Sequence, residues 1–123
     1  MFFCLVAMSQ SFCDYQQFCK YLDYFLGNKD EVILAPLGDT NCRWFAKEYA
    51  RKHSGRIQSV ELKADMVRNQ RIFSLIANDP EQGIVCFWDE VSSEVADDIK
   101  SAKEYGIPCR IVRFTVPSAS GGR

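Results

Sequence analysis

The residues best suited to chemistry lie between a buried apolar run and an amphipathic segment. They read Asp89-Glu90-Val91-Ser92-Ser93-Glu94. Either serine can cap the helix that follows, and the first backbone amides of that helix would then face an anion bound beyond the loop. Simple capping by Ser93, with Glu94 near the positive end of the helix dipole, explains the same residues. Taken alone, these residues favour helix capping, with a phosphate site as the alternative, and Glu94 would repel a phosphate bound here.

The carboxylates of this region also suit an enzyme. Asp89, Glu94 or Asp97 would stabilise an oxocarbenium-like centre or activate a water molecule. His53 is predicted near the end of a helix, far from this edge of the sheet, and it is the only histidine, so histidine-based nucleophilic triads and histidine-rich metal centres are excluded. The six cysteines include no C-x-x-C pair, so we expect no bound metal and no cofactor. Three of them lie in apolar strand-like runs, as expected of a reduced, cytoplasmic protein.

Three other segments supply candidate ligand contacts. Ser9 and Gln10 follow the first apolar run, and Gly38-Asp39-Thr40-Asn41 follows the second. A turn glycine with a Thr or Asn cap is the simpler interpretation of the latter. Arg68-Asn69 offers a guanidinium and an amide to phosphate or sugar oxygens, or belongs to a solvated charged face. Trp88 ends an apolar strand, where it packs in the core or stacks on a base.

The elements that position these residues alternate between strand and helix. Apolar runs predict strands at 2–8, 32–35, 84–88 and 111–112, and the alternating segment 56–62 predicts an edge strand. Three- and four-residue spacing predicts helices at 15–26, 41–52, 65–78 and 93–105, the first between an Asp14 cap and Gly27. This order predicts an α/β, three-layer, Rossmann-like open sheet of five mainly parallel strands with helices on both faces. The loops after the first and fourth strands then meet at the ligand-binding edge, flanked by the loop after the second.

Length and composition fit one domain. The chain has 123 residues, 47% of them hydrophobic, and we expect a single domain over 1–116 with a disordered tail at 117–123. The net charge of -1 argues against broad nucleic-acid binding. The apolar opening at 1–8 is too short to span a bilayer and lacks a basic leader, so no membrane partner is expected.

Several motifs within 32–114 are similar to small domains of the SLOG superfamily. Arg68-Asn69 resembles the R-N pair that opens the family's third helix, and Cys86-Phe87-Trp88-Asp89 resembles its A-F-W-D strand end. Residues 92–102 resemble S-x-G-T-x-D-x-I-x-x-A, with Glu94-Val95 in place of G-T, and Gly106-Ile107-Pro108 follows. Of the glycine-rich turn only Gly38 is present, and the first loop reads Met8-Ser9-Gln10-Ser11-Phe12 where relatives have glycines. The resemblance is to the YpsA-like and DprA-like branches, which are related to the LOG phosphoribohydrolases.

This resemblance implies a Rossmann-like fold and a nucleotide-derived ligand. Because the glycine-rich turns are altered, we expect a non-catalytic sensor or a sequestering protein of phage or bacterial conflict. The alternatives are a nucleotide N-glycosidase or phosphoribohydrolase-like enzyme, and a degenerate domain that acts through an oligomer or partner interface. Relatives often self-associate, so a homo-oligomer is expected as well.

Overall fold

The computed structural model describes residues 1–38, 40–68 and 70–115, with only the backbone of Arg68. Five strands form one sheet in the order β3-β2-β1-β4-β5, and every neighbouring pair is parallel. The strands are β1 (Phe2–Met8), β2 (Val32–Pro36), β3 (Ile57–Ser59), β4 (Gln82–Trp88) and β5 (Cys109–Arg113). The predicted α/β fold with a parallel sheet is confirmed. The predicted disordered tail at 117–123 lies outside the described residues.

Helices cover both faces of the sheet. They are α1 (Tyr15–Leu26), α2 (Thr40–Lys52), α3 (Ala64–Arg68), α4 (Arg71–Ile76) and α5 (Ser93–Glu104). Helix α1 begins as its sequence predicts, because the Asp14 side chain accepts a hydrogen bond from the Gln17 backbone N–H at 3.1 Å. Its residues Phe18, Leu22 and Leu26 recur every four positions and are all buried against the sheet.

Two apolar layers fill the space between sheet and helices. Alternate residues of β1 and β4 point to opposite faces, so both strands contribute to both layers. Helices α1 and α2 pack on one face, where Phe18, Phe45 and Phe87 form a ring cluster. Helices α4 and α5 pack on the other face, where Phe73 is fully buried. The result is a three-layer α/β/α domain.

The prediction of one helix over 65–78 is wrong. The segment forms two short helices, α3 and α4, separated at Gln70, whose φ of 54° lies in the left-handed region. The Gln70 side chain explains the break, because its Nε2 donates to Asp98 Oδ1 at 3.2 Å and its Oε1 accepts from the Ser101 hydroxyl. These contacts with α5 stabilise a backbone conformation that a non-glycine residue rarely adopts.

Strand β3 lies at the sheet edge, as predicted, but it is shorter than the segment 56–62. It pairs with β2 only from Ile57 to Ser59. Glu61, Leu62 and Lys63 therefore belong to the connection beyond the carboxyl end of β3. In the described ranges, no helix is long and apolar enough to cross a membrane.

Candidate ligand site at the carboxyl edge of the sheet

The strand order reverses between β1 and β4, and the loops after these two strands meet. The Ser9 backbone N–H donates to the Phe87 carbonyl at 2.8 Å, and the Asp89 backbone N–H donates to Ser9 Oγ at 3.1 Å. Ser9 is buried, whereas Gln10 beside it is exposed. The predicted adjacency of these loops is confirmed, and it lies where doubly wound sheets bind ligands.

The Asp89 carboxylate accepts hydrogen bonds from the two loops that surround it. Its Oδ1 accepts hydrogen bonds from the backbone N–H groups of Val91 at 2.9 Å and Ser92 at 2.8 Å. Its Oδ2 accepts from the Ser11 hydroxyl at 3.1 Å. These hydrogen bonds hold the pKa of Asp89 below its usual range, and the largest contribution comes from the Ser92 amide. Partial desolvation of the carboxylate acts in the opposite direction. Asp89 thus occupies an anion position beside the start of α5.

The remaining residues of the fourth loop complete this arrangement. Ser92 is the N-cap residue of α5, but its side chain makes no capping hydrogen bond. The Trp88 indole N–H donates to the Ser92 carbonyl at 3.0 Å while its ring packs in the α4/α5 layer. Ser93, Glu94 and Asp97 are exposed on α5. Hydrogen bonds between the backbone of this loop and the side chains of Asp89 and Trp88 therefore stabilise its conformation.

The loop after β2 borders a separate groove of about 630 Å³. Its lining residues are Pro36, Leu37, Gly38, Arg43, Glu61, Leu62, Lys63, Ala64 and Val67. A Cβ atom at Gly38 would lie 2.9 Å from the Cys42 Cβ, so close packing against α2 explains this glycine. Thr40 and Asn41, the first residues of α2, are both exposed.

The groove has an apolar floor and a cationic rim. Leu62 and Val67 are partly buried in the α4/α5 layer. Among the described residues that line the groove, Arg43 and Lys63 supply two positive charges and Glu61 supplies one carboxylate. In the parts of the chain that the structure describes, neither cation forms an ion pair. The first turn of α2 itself contains no acidic residue, and Asp39, which precedes it in the sequence, lies outside the described residues.

The structure describes no side chain for three of the predicted ligand-binding residues. Asp39 and Asn69 lie outside the described residues, and only the backbone of Arg68 is described, at the end of α3. The groove residues Arg43 and Lys63 were not predicted as site residues. A signal for Arg43 was present, since a basic residue stands in the first turn of a helix that follows a strand-end glycine.

His53 lies outside this edge and has a structural environment. Its Nδ1 is 2.8 Å from the Tyr49 carbonyl oxygen, and its ring packs on the Tyr49 ring. Among the residues that the structure describes, no group of three or more His, Cys, Asp or Glu side chains is placed to hold a metal ion.

The fold defines a doubly wound, Rossmann-like α/β domain with its loops gathered at the carboxyl edge of the sheet. Comparison of the chain with protein-family models, curated proteins and solved structures finds no match. The resemblance to the SLOG superfamily accordingly stays a prediction from sequence motifs.

Proposed function

We propose that the protein binds a nucleotide, or a signalling molecule derived from one, at the carboxyl edge of its sheet and does not turn it over. The observation that carries this proposal is the groove beside the start of α2, with Arg43 and Lys63 at its rim. Its volume of about 630 Å³ is in the range of sites for small molecules. The cations and the helix dipole suit phosphate, and the apolar floor suits a base or sugar ring.

The state of Asp89 supports binding over catalysis. A general acid needs a raised pKa, whereas hydrogen bonds hold the pKa of Asp89 below its usual range. A nucleophile or general base needs an available carboxylate oxygen, yet Asp89 accepts three hydrogen bonds from the surrounding loops. Its two amide partners are also those that would otherwise be directed at a bound phosphate. We therefore propose that the phosphate of the ligand binds beside the start of α2 and not beside the start of α5.

The test compares two basic residues of α2, only one of which lines the groove. Arg43→Ala removes a rim cation, and Lys47→Ala removes an equal charge from an exposed position one turn along α2 that does not line the groove. The purified protein is incubated with nucleoside mono-, di- and triphosphates, ADP-ribose and cyclic forms of ADP-ribose. Free ligand is removed, and the retained molecules are identified by mass spectrometry after denaturation.

We expect the protein to retain an intact ligand. Its Kd should rise about tenfold or more in Arg43→Ala, since hydrogen bonds to charged groups contribute about 1.5–3 kcal/mol, and should stay unchanged in Lys47→Ala. Equal affinities of the two variants would remove the groove from the proposal. Release of free base and sugar phosphate would favour the N-glycosidase alternative. Retention of none of these molecules by a protein of stable oligomeric mass would favour the interface alternative.

A further inference from the structure

Two cysteine side chains from adjacent strands meet under α5. The Cys86 Sγ of β4 lies 3.9 Å from the Cys109 Sγ of β5. Cys86 is completely buried, and Cys109 is only partly buried in the same α4/α5 layer. We propose that these cysteines form a hydroperoxide-reactive pair, in which Cys109 is oxidised first and Cys86 then closes a disulfide with it.

The environments of the two sulfurs differ in the way this order requires. A hydrogen bond from the Cys86 thiol, together with the positive charges of Lys103 and Arg110, lowers the pKa of Cys109. Desolvation and the Asp98 carboxylate on α5 act in the opposite direction. The hydrogen bond to Cys109 and complete burial raise the pKa of Cys86, so Cys86 keeps its proton. Of the two sulfurs, the partly accessible Cys109 is thus the one that ionises more readily to the thiolate, which is the nucleophilic form.

The position of Cys109 determines which part of the sheet must move for the disulfide to close. A disulfide needs an S–S distance of about 2.05 Å, which is shorter than the contact in the reduced protein. Cys109 pairs in register with Ile84, two residues before Cys86, so the sulfurs meet diagonally across the strands. Strand β5 is the outer strand of the sheet, and Cys109 is its first residue, shortly after the turn at Gly106. The required shift therefore falls on the first residue of an edge strand.

The chemistry balances with a hydroperoxide as the oxidant. The Cys109 thiolate attacks one peroxide oxygen and the O–O bond breaks, giving a sulfenic acid and hydroxide or alkoxide, which takes a proton from water. The Cys86 sulfur then attacks the Cys109 sulfur, and the sulfenic oxygen leaves as water with the Cys86 proton. With hydrogen peroxide, two thiols become one disulfide and the peroxide becomes two water molecules.

The exposed Cys13 provides an internal control. The full chain is treated with one equivalent of hydrogen peroxide, samples are blocked with N-ethylmaleimide in denaturant over time, and all six cysteines are mapped by mass spectrometry. We expect Cys109 to react at least about tenfold faster than Cys13, with a Cys86–Cys109 disulfide as the product that dithiothreitol reverses. This comparison needs no variant, so a failure of a variant to fold does not affect it.

Variants separate the two roles. Cys86→Ala, which keeps a small apolar side chain in the core, should stop at a Cys109 sulfenic acid that dimedone traps. Cys109→Ser should leave Cys86 unmodified, and Cys13→Ser should still form the disulfide. Oxidation of Cys109 no faster than that of Cys13 would overturn the proposal. So would conversion of Cys109 to the sulfinic acid in the unsubstituted protein while Cys86 remains open to N-ethylmaleimide.

Discussion

At the scale of single residues, Asp89 connects two loops of the carboxyl edge, the one after β1 and the one after β4. Its carboxylate accepts hydrogen bonds from two backbone amides of its own loop and from Ser11, which lies 78 positions earlier in the chain. The lowered pKa of Asp89 means that the folded protein prefers its ionised form. Its contribution to stability is present above the unfolded-state pKa, about 3.9, and is lost as the pH falls through the lower folded-state pKa.

We predict that Asp89→Ala lowers the free energy of unfolding by about 1–2 kcal/mol at pH 7, the size of a lost capping interaction. The difference from the unsubstituted protein should shrink as the pH falls from the unfolded-state pKa, about 3.9, through the lower folded-state pKa, because Asp89 then becomes protonated in the folded state as well. Urea denaturation at a series of pH values measures this. Asp97→Ala on the exposed side of α5 is the control and should change stability by less than about 0.5 kcal/mol. A loss that is equal at all pH values would show that the Asp89 charge is not involved.

The sequence places Ser9, Asp89 and Ser92 at one edge correctly because strand ends can be read from hydrophobic runs. Their hydrogen bonds depend on how two distant loops approach, which periodicity does not describe. The sequence does not place Lys63 at this edge, because the alternating pattern of 56–62 predicts a strand that continues beyond Ser59, the last residue of β3. Pairing with β2 ends there, and local propensity does not specify that end.

At the scale of elements, the break between α3 and α4 depends on α5. Gln70 bonds to Asp98 and Ser101, which lie 28 and 31 positions later. Phe73 and Ile76 both lie in α4, after the break, and both side chains are buried as predicted. In contrast, α1 was predicted accurately, since its cap and its buried positions are all local. The interruption at Gln70 escapes the sequence pattern because it needs distant partners on α5.

Asp98 gives this contact a pH dependence. Burial, opposed by the Gln70 hydrogen bond and reinforced by the neighbouring charges of Asp97 and Glu94, raises the pKa of Asp98 to about 7. The protonated form is favoured in the folded state, so its stabilising effect is complete below the unfolded-state pKa of about 3.9 and is lost as the pH rises to 7. The packing of α5 against the α3/α4 break should weaken over this interval.

We predict that Asp98→Asn, which keeps an oxygen to accept from Gln70, is more stable than the unsubstituted protein by about 1 kcal/mol or more at pH 8 and nearly equal to it at pH 4. Denaturant unfolding across this range measures the difference. The exposed neighbour Asp97→Asn should give a smaller pH-dependent change. A constant difference between Asp98→Asn and the unsubstituted protein at pH 4 and pH 8 would contradict the assignment.

At the scale of the whole molecule, the two apolar layers share their central strands. Val6 and Leu5 of β1 point to opposite layers, as do Phe87 and Cys86 of β4. A layer that loses its packing therefore exposes one face of strands whose opposite face forms the other layer. This architecture was predictable from the sequence, because continuous apolar runs indicate strands buried on both faces.

The two tryptophans allow a direct test of this coupling. Trp44 lies on α2 beside Tyr15 and Phe45, and Trp88 packs in the opposite layer. We predict that Trp44→Phe and Trp88→Phe, each with one remaining tryptophan, unfold in urea with a fluorescence midpoint equal to the far-UV circular dichroism midpoint of the same variant. Comparison within each variant removes the effect of the lost Trp88 hydrogen bond to Ser92 on overall stability. A Trp44 signal that changes at lower urea concentration than the helical signal would mean that the α1/α2 layer opens first, and that the shared strands do not couple the two layers.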